Sequence, residues 1–371
     1  SVLGFPPALV AAEVLMKPGD GREKTNKRIE RILPFFMACG VVLAADIFFS
    51  KKTGIVYSPY GGSLWTHLIT IAKIPHLYIQ KILWPSNLCA DYSYIPETSL
   101  FSLSVLLSVA VIILIAGAFV YFAKRDRAAA FFIAWSVFNL APVMNIIPTS
   151  KLIADRYAYL PSIGLFCLAG HLVVKWAAGG DEESRKSPAL KAAAAILIIC
   201  AVAGSAYTSV RRNRIWRTDF SLWSAAMKVE PENPIVLHNM GYAYFEQGDP
   251  VTAEKLLLEA LKRDPNDVPA MVNLGAIEYE LKGNTEKALA YFEKAAELAP
   301  HRIQTWVNLF VVYLEQEEFE KAAAANWKAI SLDRHNPDHR LRRNILIKRA
   351  QEKGVRLNLP TLPPAPGRRK P

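Results

Sequence analysis

The sequence predicts an all-α protein in which a polytopic transmembrane helical domain is followed by an α-solenoid of helical repeats. Residues 1–210 contain long apolar runs with few charges, whereas residues 211–371 are rich in charge and carry helical spacing of apolar residues. Gly241 and Gly275 are 34 residues apart in matching surroundings. That period is typical of stacked helix pairs. A chain of 371 residues has room for both parts.

The overall composition supports the membrane prediction and excludes two classes of site. The chain is 52% hydrophobic with a formal net charge of +11, and many of the basic residues lie in loops between apolar segments. There, Lys and Arg report membrane orientation. A nucleic-acid partner is not expected, since the sequence has no basic face interleaved with aromatics. Neither a disulfide framework nor a metal site is expected from the four cysteines, Cys39, Cys89, Cys167 and Cys200.

The candidate membrane spans are apolar stretches that approach the roughly 20 residues needed to cross a bilayer. The stretch at 63–84 contains several His, Lys and Gln residues, so we expect an interfacial or re-entrant segment there. With the short run at 2–16 as the end of a further span, about six spans are expected. The five other candidates are 33–49, 99–123, 129–147, 158–176 and 190–210.

The distribution of Lys and Arg predicts which loops face the cytoplasm. If the segment 63–84 does not cross the membrane, the three most basic loops lie on the same side of the membrane. By the positive-inside rule that side is the cytoplasmic one. The repeats then lie on the extracytoplasmic side. The arginines that follow the last span, Arg211, Arg212, Arg214 and Arg217, oppose this orientation. The basic loops are 17–31, 124–127 and 175–191.

The start of the chain predicts a missing N-terminal part. Ser1 is not preceded by a basic leader, and the first apolar run is short for a span. We therefore expect no signal peptide and a chain that begins inside a longer protein.

The repeat block matches the tetratricopeptide (TPR) pattern at many positions. Small residues let the two helices of a unit approach closely, and large apolar residues fill the space between units. The third unit has Phe310 where the pattern has Gly and Arg334 where it has Pro, which is typical of a terminal unit. The expected packing residues are Leu237, Gly241, Tyr244, Ala253, Ala260, Pro265, Gly275, Ala288, Phe292, Ala295, Pro300, Trp306, Tyr313 and Ala322.

These patterns predict four domains or segments. Two interpretations of the repeats remain open: a concave surface that binds a protein or peptide, and a stacked spacer without a ligand. The segments are a membrane domain at 1–210, a basic linker with a half-repeat helix at 211–232, three TPR repeats at 233–335, and a basic helix with a Pro-rich tail at 336–371.

Two polar segments carry the candidate binding residues. Arg156, between two apolar runs, can bind a phosphate with Tyr157 and Tyr159 adding hydroxyl groups; alternatively, all three form an interfacial belt. Asp91 and Tyr92 follow a Trp-Pro pair. This carboxylate beside aromatic rings suits a sugar or a metal, or else it caps a helix.

Three stretches together resemble the transmembrane and TPR-containing O-mannosyltransferases of the GT-C superfamily and their bacterial relatives. They are WPSNLCADYS, APVMNIIPTSKLIADRYAYLPSIGL, and RNRIWRTDFSLWSAAMKVEPENP running into the repeats. Pro142, Asn145, Arg156 and Tyr159 match the family pattern, whereas Asp155 stands where the family usually has Glu.

The resemblance implies a glycosyltransferase that moves a sugar from a polyprenyl-phosphate carrier to a protein hydroxyl at the extracytoplasmic face. It implies no tightly bound cofactor and leaves a divalent metal open. The resemblance implies that the acidic catalytic residues lie near the N-terminus, in the part expected to precede this chain, so the catalytic residue stays unknown. The expected partners are membrane lipid and a protein or peptide acceptor that binds the repeats. The expected location of the protein is the bacterial inner membrane. The alternative is a non-catalytic, membrane-anchored TPR scaffold for protein–protein interaction.

Overall fold

The computed structural model describes residues 5–16, 33–38, 40–41, 44, 59–146, 151–178, 188–334, 336–357 and 359. About half of the expected span 33–49 lies outside these residues, and its described positions are helical. The basic loop 17–31 and the end of the Pro-rich tail also lie outside the described residues. The described part of the chain is helical and has no β-strand. It divides into two compact units, Ser1–Trp216 and Arg217–Pro371.

The first unit is built from seven helices and three short 3₁₀ turns in its described residues. The 3₁₀ turns are Tyr60–Gly62, Ala141–Val143 and Asp155–Ala158. The helices are α1 (Phe5–Met16), α2 (Leu64–Ala72), α3 (Ile74–Leu83), α4 (Leu103–Arg125), α5 (Arg127–Leu140), α6 (Tyr159–Ala178) and α7 (Pro188–Ile215).

Within the described ranges, three helical stretches are long and apolar enough to cross a membrane: Leu103–Arg125, Asp155–Ala177 and Lys191–Ile215. At most 11% of each apolar window is buried inside the unit. A helix that exposes so many apolar side chains suits a lipid surround. The last of these helices extends past the expected end at residue 210, to Ile215.

The expectation of about six spans is not met within the described residues. The stretch expected at 129–147 is a helix of only 14 residues, α5. Pro142 lies at the start of the 3₁₀ turn that follows α5, and Asn145 has a positive φ of 59°. A proline lacks the N–H that a longer helix needs, and a positive φ is incompatible with helix. The first run forms α1, which has 12 residues.

The expected interfacial segment at 63–84 forms two short helices, α2 and α3, separated by Lys73. Ser63 caps α2 by accepting a hydrogen bond from the backbone N–H of Thr66 at 3.0 Å. A proline stands in the first turn of α3, where its missing N–H costs nothing. Neither helix reaches spanning length, and the interfacial placement stays a prediction.

The second unit consists of eight helices, of which six form three antiparallel pairs. Side chains of Asn233, Asp249, Asp267 and Asn284 each accept a backbone N–H at a helix start. Such caps satisfy amides that have no partner inside the helix. The helices are α8 (Asp219–Val229), α9 (Pro234–Glu246), α10 (Pro250–Arg263), α11 (Val268–Glu280), α12 (Thr285–Leu298), α13 (Ile303–Glu315), α14 (Phe319–Leu332) and α15 (Pro337–Glu352).

The glycines that set the repeat period lie where two helices of one pair touch. A Cβ on Gly241 would be 2.9 Å from the Leu257 side chain, and a Cβ on Gly275 would be 2.5 Å from the Phe292 ring. In the third pair Phe310 stands at the glycine position, and the position that faces it along the pattern is Asn326. The bulky residue has therefore moved from the second helix of the pair to the first.

The turns inside the pairs also follow the sequence pattern. The first turn is 247–249 and the second is 281–284, which is one residue longer. Gly248 and Gly283 adopt positive φ values of 80° and 63°, and Glu317 does so at 61° in the third turn. A glutamate in this conformation is disfavoured relative to glycine, so the third repeat departs from the pattern here too.

Candidate functional site

The candidate site is built on a small apolar core in the first unit. Ile71, Ile74 and Tyr78 from α2 and α3 pack against Leu152 and Ile153. Tyr92 and Tyr157 pack on the edge of this core. The two polar segments that the sequence singled out, 84–97 and 145–162, therefore meet on one surface.

Asn145 closes the second segment onto itself. Its Nδ2 donates to the carbonyl oxygens of Lys151 at 2.5 Å and Leu152 at 2.9 Å. Its own carbonyl oxygen lies 2.9 Å from His67 Nε2 on α2. Asn145 and His67 are both buried, so these bonds are shielded from water and hold the 151–158 stretch in place.

The first segment is attached to α2 near its end. The Nζ of Lys73, a residue only 6% exposed, donates to the carbonyl oxygen of Ile95 at 2.8 Å. The backbone N–H of Glu97 donates to Thr70 Oγ1 at 2.9 Å. A buried lysine that must satisfy its charge through one carbonyl and one carboxylate makes this attachment specific.

Tyr92 and Asp155 link both segments to the last helix of the unit. The Tyr92 hydroxyl donates to Asp155 Oδ1 at 2.6 Å and accepts the backbone N–H of Cys89 at 2.8 Å. Arg212 on α7 donates to Asp155 Oδ2 at 3.0 Å and to the carbonyl oxygen of Leu88 at 2.7 Å. Burial and the bond to Asp155 raise the pKa of Tyr92, so its hydroxyl remains a donor at neutral pH.

Asp91 forms an ion pair with Lys151. The Asp91 side chain is only 7% exposed, whereas that of Lys151 is 30% exposed. The helix-cap interpretation of Asp91 is wrong. The next helix, α4, begins at Leu103, and its N-cap residue is Ser102. Asp91, Tyr92, Lys151, Asp155 and Arg212 together are called the polar cluster below.

Arg156 does not pair with the acidic members of the polar cluster, which form salt bridges with Lys151 and Arg212. It is exposed, and its guanidinium lies 5.0 Å from the centre of the Tyr157 ring. Among the described residues it makes no ion pair, so its charge is open to a ligand. Tyr159 is 71% exposed at the start of α6, and the structure does not bring its side chain to the cluster.

Positive charge exceeds negative charge at this surface. Lys81 lies 3.8 Å from the centre of the Tyr92 ring, and its charge acts on Asp155. Burial, followed by the nearby charge of Arg156, lowers the pKa of Lys151. An anion bound between these two cations would relieve their repulsion. The cations at this surface are Lys81, Lys151, Arg156 and Arg212, and the carboxylates are Asp91 and Asp155.

The described residues contain no group of three or more His, Cys, Asp or Glu side chains placed to hold a metal ion. Both carboxylates of the polar cluster already face cations. The arrangement can therefore bind an anionic group such as a phosphate through charge-assisted hydrogen bonds.

The opposite end of the same helices carries a separate charged contact. Asp126, between α4 and α5, accepts from His171 at 2.8 Å and from Lys175 at 2.7 Å. Burial works against ionisation of Asp126, but the bonds from Lys175 and His171 prevail and lower its pKa. His171 is thus hydrogen-bonded and only partly buried.

Sequence reasoning missed Lys151, Arg212 and Lys81 as members of this surface. The signal for Arg212 was present: the sequence predicts this basic residue on the extracytoplasmic side, where the positive-inside rule expects few cations. Such a residue is explained by a specific partner, and here that partner is Asp155. Lys151 lies inside the TSKLIADRY stretch, where nothing local distinguishes it from an interfacial lysine.

The repeat unit presents its own concave features. A cleft of about 620 Å³ lies between α12, α13 and α14, with Trp306 and Tyr313 in its wall. Lys328 lies over the Trp306 ring and Lys321 over the Tyr313 ring, at 5.9 and 5.3 Å from the ring centres. The Tyr313 hydroxyl donates to Glu293 at 2.5 Å, so the polar groups of the cleft largely satisfy each other.

Comparison with known proteins identifies the repeats. The tetratricopeptide repeat family model matches residues 232–301, which confirms that the chain contains a TPR domain. A solved structure, "Crystal structure of YrrB: a TPR protein with an unusual peptide-binding site", is 21% identical with a TM-score of 0.30, covering 62% of this chain and 97% of that one.

The similarity to curated relatives extends beyond the repeats into the first unit. Protein O-mannosyl-transferase Tmtc3 of Drosophila melanogaster is 26% identical over 71% of this chain and 30% of its own length. Protein O-mannosyl-transferase F38B6.6 of Caenorhabditis elegans is 31% identical over 52% of this chain and 26% of its own length. The chain is thus homologous to these proteins and spans less than a third of the length of each.

Proposed function

We propose that this chain is the lipid-phosphate-binding and acceptor-binding portion of a membrane glycosyltransferase. The enzyme would transfer a sugar, mannose by analogy with the names of its relatives, from a polyprenyl-phosphate carrier to a protein hydroxyl. The observation that carries the proposal is the exposed guanidinium of Arg156 beside a cation-rich polar cluster. Similarity to proteins named O-mannosyltransferases supports it.

In the proposed reaction the acceptor hydroxyl oxygen attacks C1 of the sugar and forms a new C–O bond. The bond from C1 to the carrier phosphate breaks, and the phosphate leaves with that electron pair as polyprenyl phosphate. Arg156 and Lys151 stabilise the charge that develops on the phosphate. The hydroxyl proton needs a base, and we assign that role to neither carboxylate of the polar cluster, because each is already paired with a cation.

We further propose that the end of the membrane unit that carries the polar cluster faces the extracytoplasmic side. The opposite end carries Lys124, Arg125, Arg127 and Lys175, in agreement with the positive-inside rule. Labelling of single-cysteine variants with a membrane-impermeant reagent tests this placement. Reaction at residue 98 from the cytoplasmic side alone would contradict it.

Arg156→Ala is expected to lower the affinity of the protein for polyprenyl monophosphate at least tenfold, since a charge-assisted hydrogen bond contributes about 1.5–3 kcal/mol. Binding is measured in neutral detergent with a fluorescent polyprenyl monophosphate. Arg125→Ala is the matched control, because Arg125 is also exposed and also lies over a tyrosine ring, that of Tyr121. Arg125 is the last residue of α4, at the end of the helices opposite to the polar cluster. An equal loss in both variants would contradict a specific phosphate site.

A non-catalytic TPR scaffold is the second candidate function. The human Cell division cycle protein 16 homolog is 32% identical over 30% of this chain, so similarity of this strength also exists to a protein that is not named a transferase. The scaffold requires no lipid phosphate. Phosphate binding that depends on Arg156 therefore separates the two candidates.

A further inference from the structure

The first helices of the three repeat pairs expose the same surface pattern. On each helix four of the accessible residues have the spacing i, i+4, i+7 and i+11, which places these four on one face. In each case the second residue is Asn and the fourth is Glu. The three sets are Ile235, Asn239, Tyr242 and Glu246 on α9; Pro269, Asn273, Ala276 and Glu280 on α11; and Gln304, Asn308, Val311 and Glu315 on α13.

Matching positions on these helices form two rows, because α9 packs beside α11 and α11 beside α13. The amide row consists of Asn239, Asn273 and Asn308, which are half-buried. The acidic row consists of Glu246, Glu280 and Glu315, which are exposed. Successive members are 34 or 35 residues apart, so each repeat contributes one amide and one carboxylate.

The carboxamides of the amide row retain capacity for hydrogen bonds. Asn239 Nδ2 donates to the carbonyl oxygen of Ile235 at 2.7 Å, and Asn308 Oδ1 accepts from Gln304 Nε2 at 2.9 Å. In the part of the chain that the structure describes, the Asn273 carboxamide makes no hydrogen bond. A carboxamide both donates and accepts, and a peptide backbone offers the same pair of groups at every residue.

The spacing of the rows suits a short extended segment. Packed helices lie about 8–10 Å apart, so three neighbouring first helices span about 20 Å. An extended chain advances by about 3.3–3.6 Å per residue. About six residues of an extended peptide would therefore pass over all three amides.

The acidic row is a source of negative charge that the protein does not neutralise by ion pairs. Among the described residues, Glu246, Glu280 and Glu315 form no salt bridge. The Tyr242 hydroxyl bonds to Glu246, which raises the pKa of Tyr242. On the next helix, α15, Arg342 and Arg349 stand at the positions that correspond to Asn and Glu. The acidic row therefore ends at α13, at a basic border.

We propose that this surface binds an extended, basic polypeptide segment. The amide row holds its main chain, and the acidic row pairs with Lys or Arg side chains that project from it. The inference rests on the proposed function only in assigning this segment to the acceptor protein. Binding itself requires no transfer reaction, so the two proposals fail separately.

Fluorescence anisotropy of a labelled eight-residue peptide of alternating Lys and Thr, added to the full chain in neutral detergent, tests the proposal. The triple variant Glu246→Gln, Glu280→Gln, Glu315→Gln is expected to weaken binding at least tenfold and to reduce its dependence on salt. A peptide with Glu in place of Lys is expected to bind at least tenfold more weakly to the natural protein. Equal binding of the two peptides would overturn the proposal.

The matched control is the triple variant Glu286→Gln, Glu297→Gln, Glu320→Gln, which removes the same charge from exposed positions on α12 and α14. It is expected to keep the affinity for the basic peptide within twofold. A loss equal to that of the acidic-row variant would reduce the effect to net charge and overturn the proposal. Helical circular dichroism of each variant shows that the repeats remain folded.

Asn273→Ala separates main-chain recognition from charge. It is expected to weaken the Lys–Thr peptide and a neutral Ala–Thr peptide by a similar factor of about three to ten, because both present the same backbone. If Asn273→Ala weakened neither peptide, the amide row would have no part in binding and the proposal would be wrong.

Discussion

Asp155→Ala is expected to open the polar cluster and to expose Cys89. The carboxylate accepts hydrogen bonds from Tyr92 and Arg212, and its removal leaves the partly buried guanidinium of Arg212 without a counter-charge. Breaking a buried pair costs about 3–5 kcal/mol. Since both side chains are about a fifth exposed, we expect about 2 kcal/mol here.

Cys89 reports this opening directly. It is 2% exposed, and its backbone N–H donates to the Tyr92 hydroxyl that Asp155 orients. With the other cysteines replaced by serine, Cys89 is expected to react with a maleimide about thirtyfold faster in the Asp155→Ala variant, since 1.4 kcal/mol corresponds to a factor of ten. The rate is measured by mass spectrometry in detergent.

Two further variants make the experiment specific. Asp126→Ala removes a carboxylate that likewise accepts two side-chain hydrogen bonds, from His171 and Lys175 at the other end of the helices, and should leave Cys89 reactivity unchanged. The double variant Asp155→Ala, Arg212→Met should destabilise the cluster by less than the sum of the free-energy losses in the two single variants, Asp155→Ala and Arg212→Met. Strict additivity would mean that the two side chains do not stabilise each other.

The repeat unit was predictable because its packing is local. Each helix pair joins positions such as Gly241 and Leu257 that lie 16 residues apart, and the pattern recurs three times. A periodic sequence therefore reveals both the helices and their contacts. The departure at Phe310 was visible in the sequence, but the burial of both Phe310 and Asn326 and the positive φ of Glu317 required the structure.

The polar cluster was only half predictable. Asp91, Tyr92 and Arg156 were identified because each stands in a polar stretch between apolar runs. Their partners were not, because Lys151 is 60 residues from Asp91 and Arg212 is 57 residues from Asp155. The rotation and the register of a long apolar helix decide which of its residues contacts a distant loop. When the hydrophobicity is similar all around the helix, the sequence predicts neither the rotation nor the register.

The helix expected at 129–147 is shorter than its hydrophobicity suggested, for a similar physical reason. Residues 129–147 are apolar enough to cross a membrane, but Pro142 ends the hydrogen-bonding pattern after Leu140. Helix α5 is also the most internal of these helices, with Ala129 and Ala130 fully buried. Its hydrophobicity therefore reflects contacts with α1, α4 and α6 as much as contact with lipid.

Gly275→Leu is expected to have the largest effect in the repeat unit. A Cβ alone would lie 2.5, 2.8 and 2.9 Å from three atoms of the Phe292 ring, and Phe292 is 1% exposed. The ring has no room to move away, so the two helices must separate. Overpacking of this kind costs about 1–3 kcal/mol or more, and the gain in helix propensity over glycine returns only about 1 kcal/mol.

Hydrogen exchange of the full protein, read at peptides from α11 and α12, measures this effect locally. We expect a net loss of about 2 kcal/mol, which corresponds to roughly thirtyfold faster exchange of the slowest amides. Ala290→Leu introduces the same side chain at an exposed position on α12 and should leave exchange unchanged. Equal loss of protection in both variants would show that the helix surface, rather than the contact with Phe292, is sensitive to volume.

The third repeat suggests how this loss can be reversed. There the bulky residue, Phe310, is on the first helix, and the position that faces it is Asn326. Phe310 and Asn326 are each 3% exposed, so both positions are buried in this arrangement. Phe292→Asn combined with Gly275→Leu transfers that arrangement to the second repeat and should restore most of the lost protection. If it does not, the fit of each helix pair depends on more than the volume shared between these two positions.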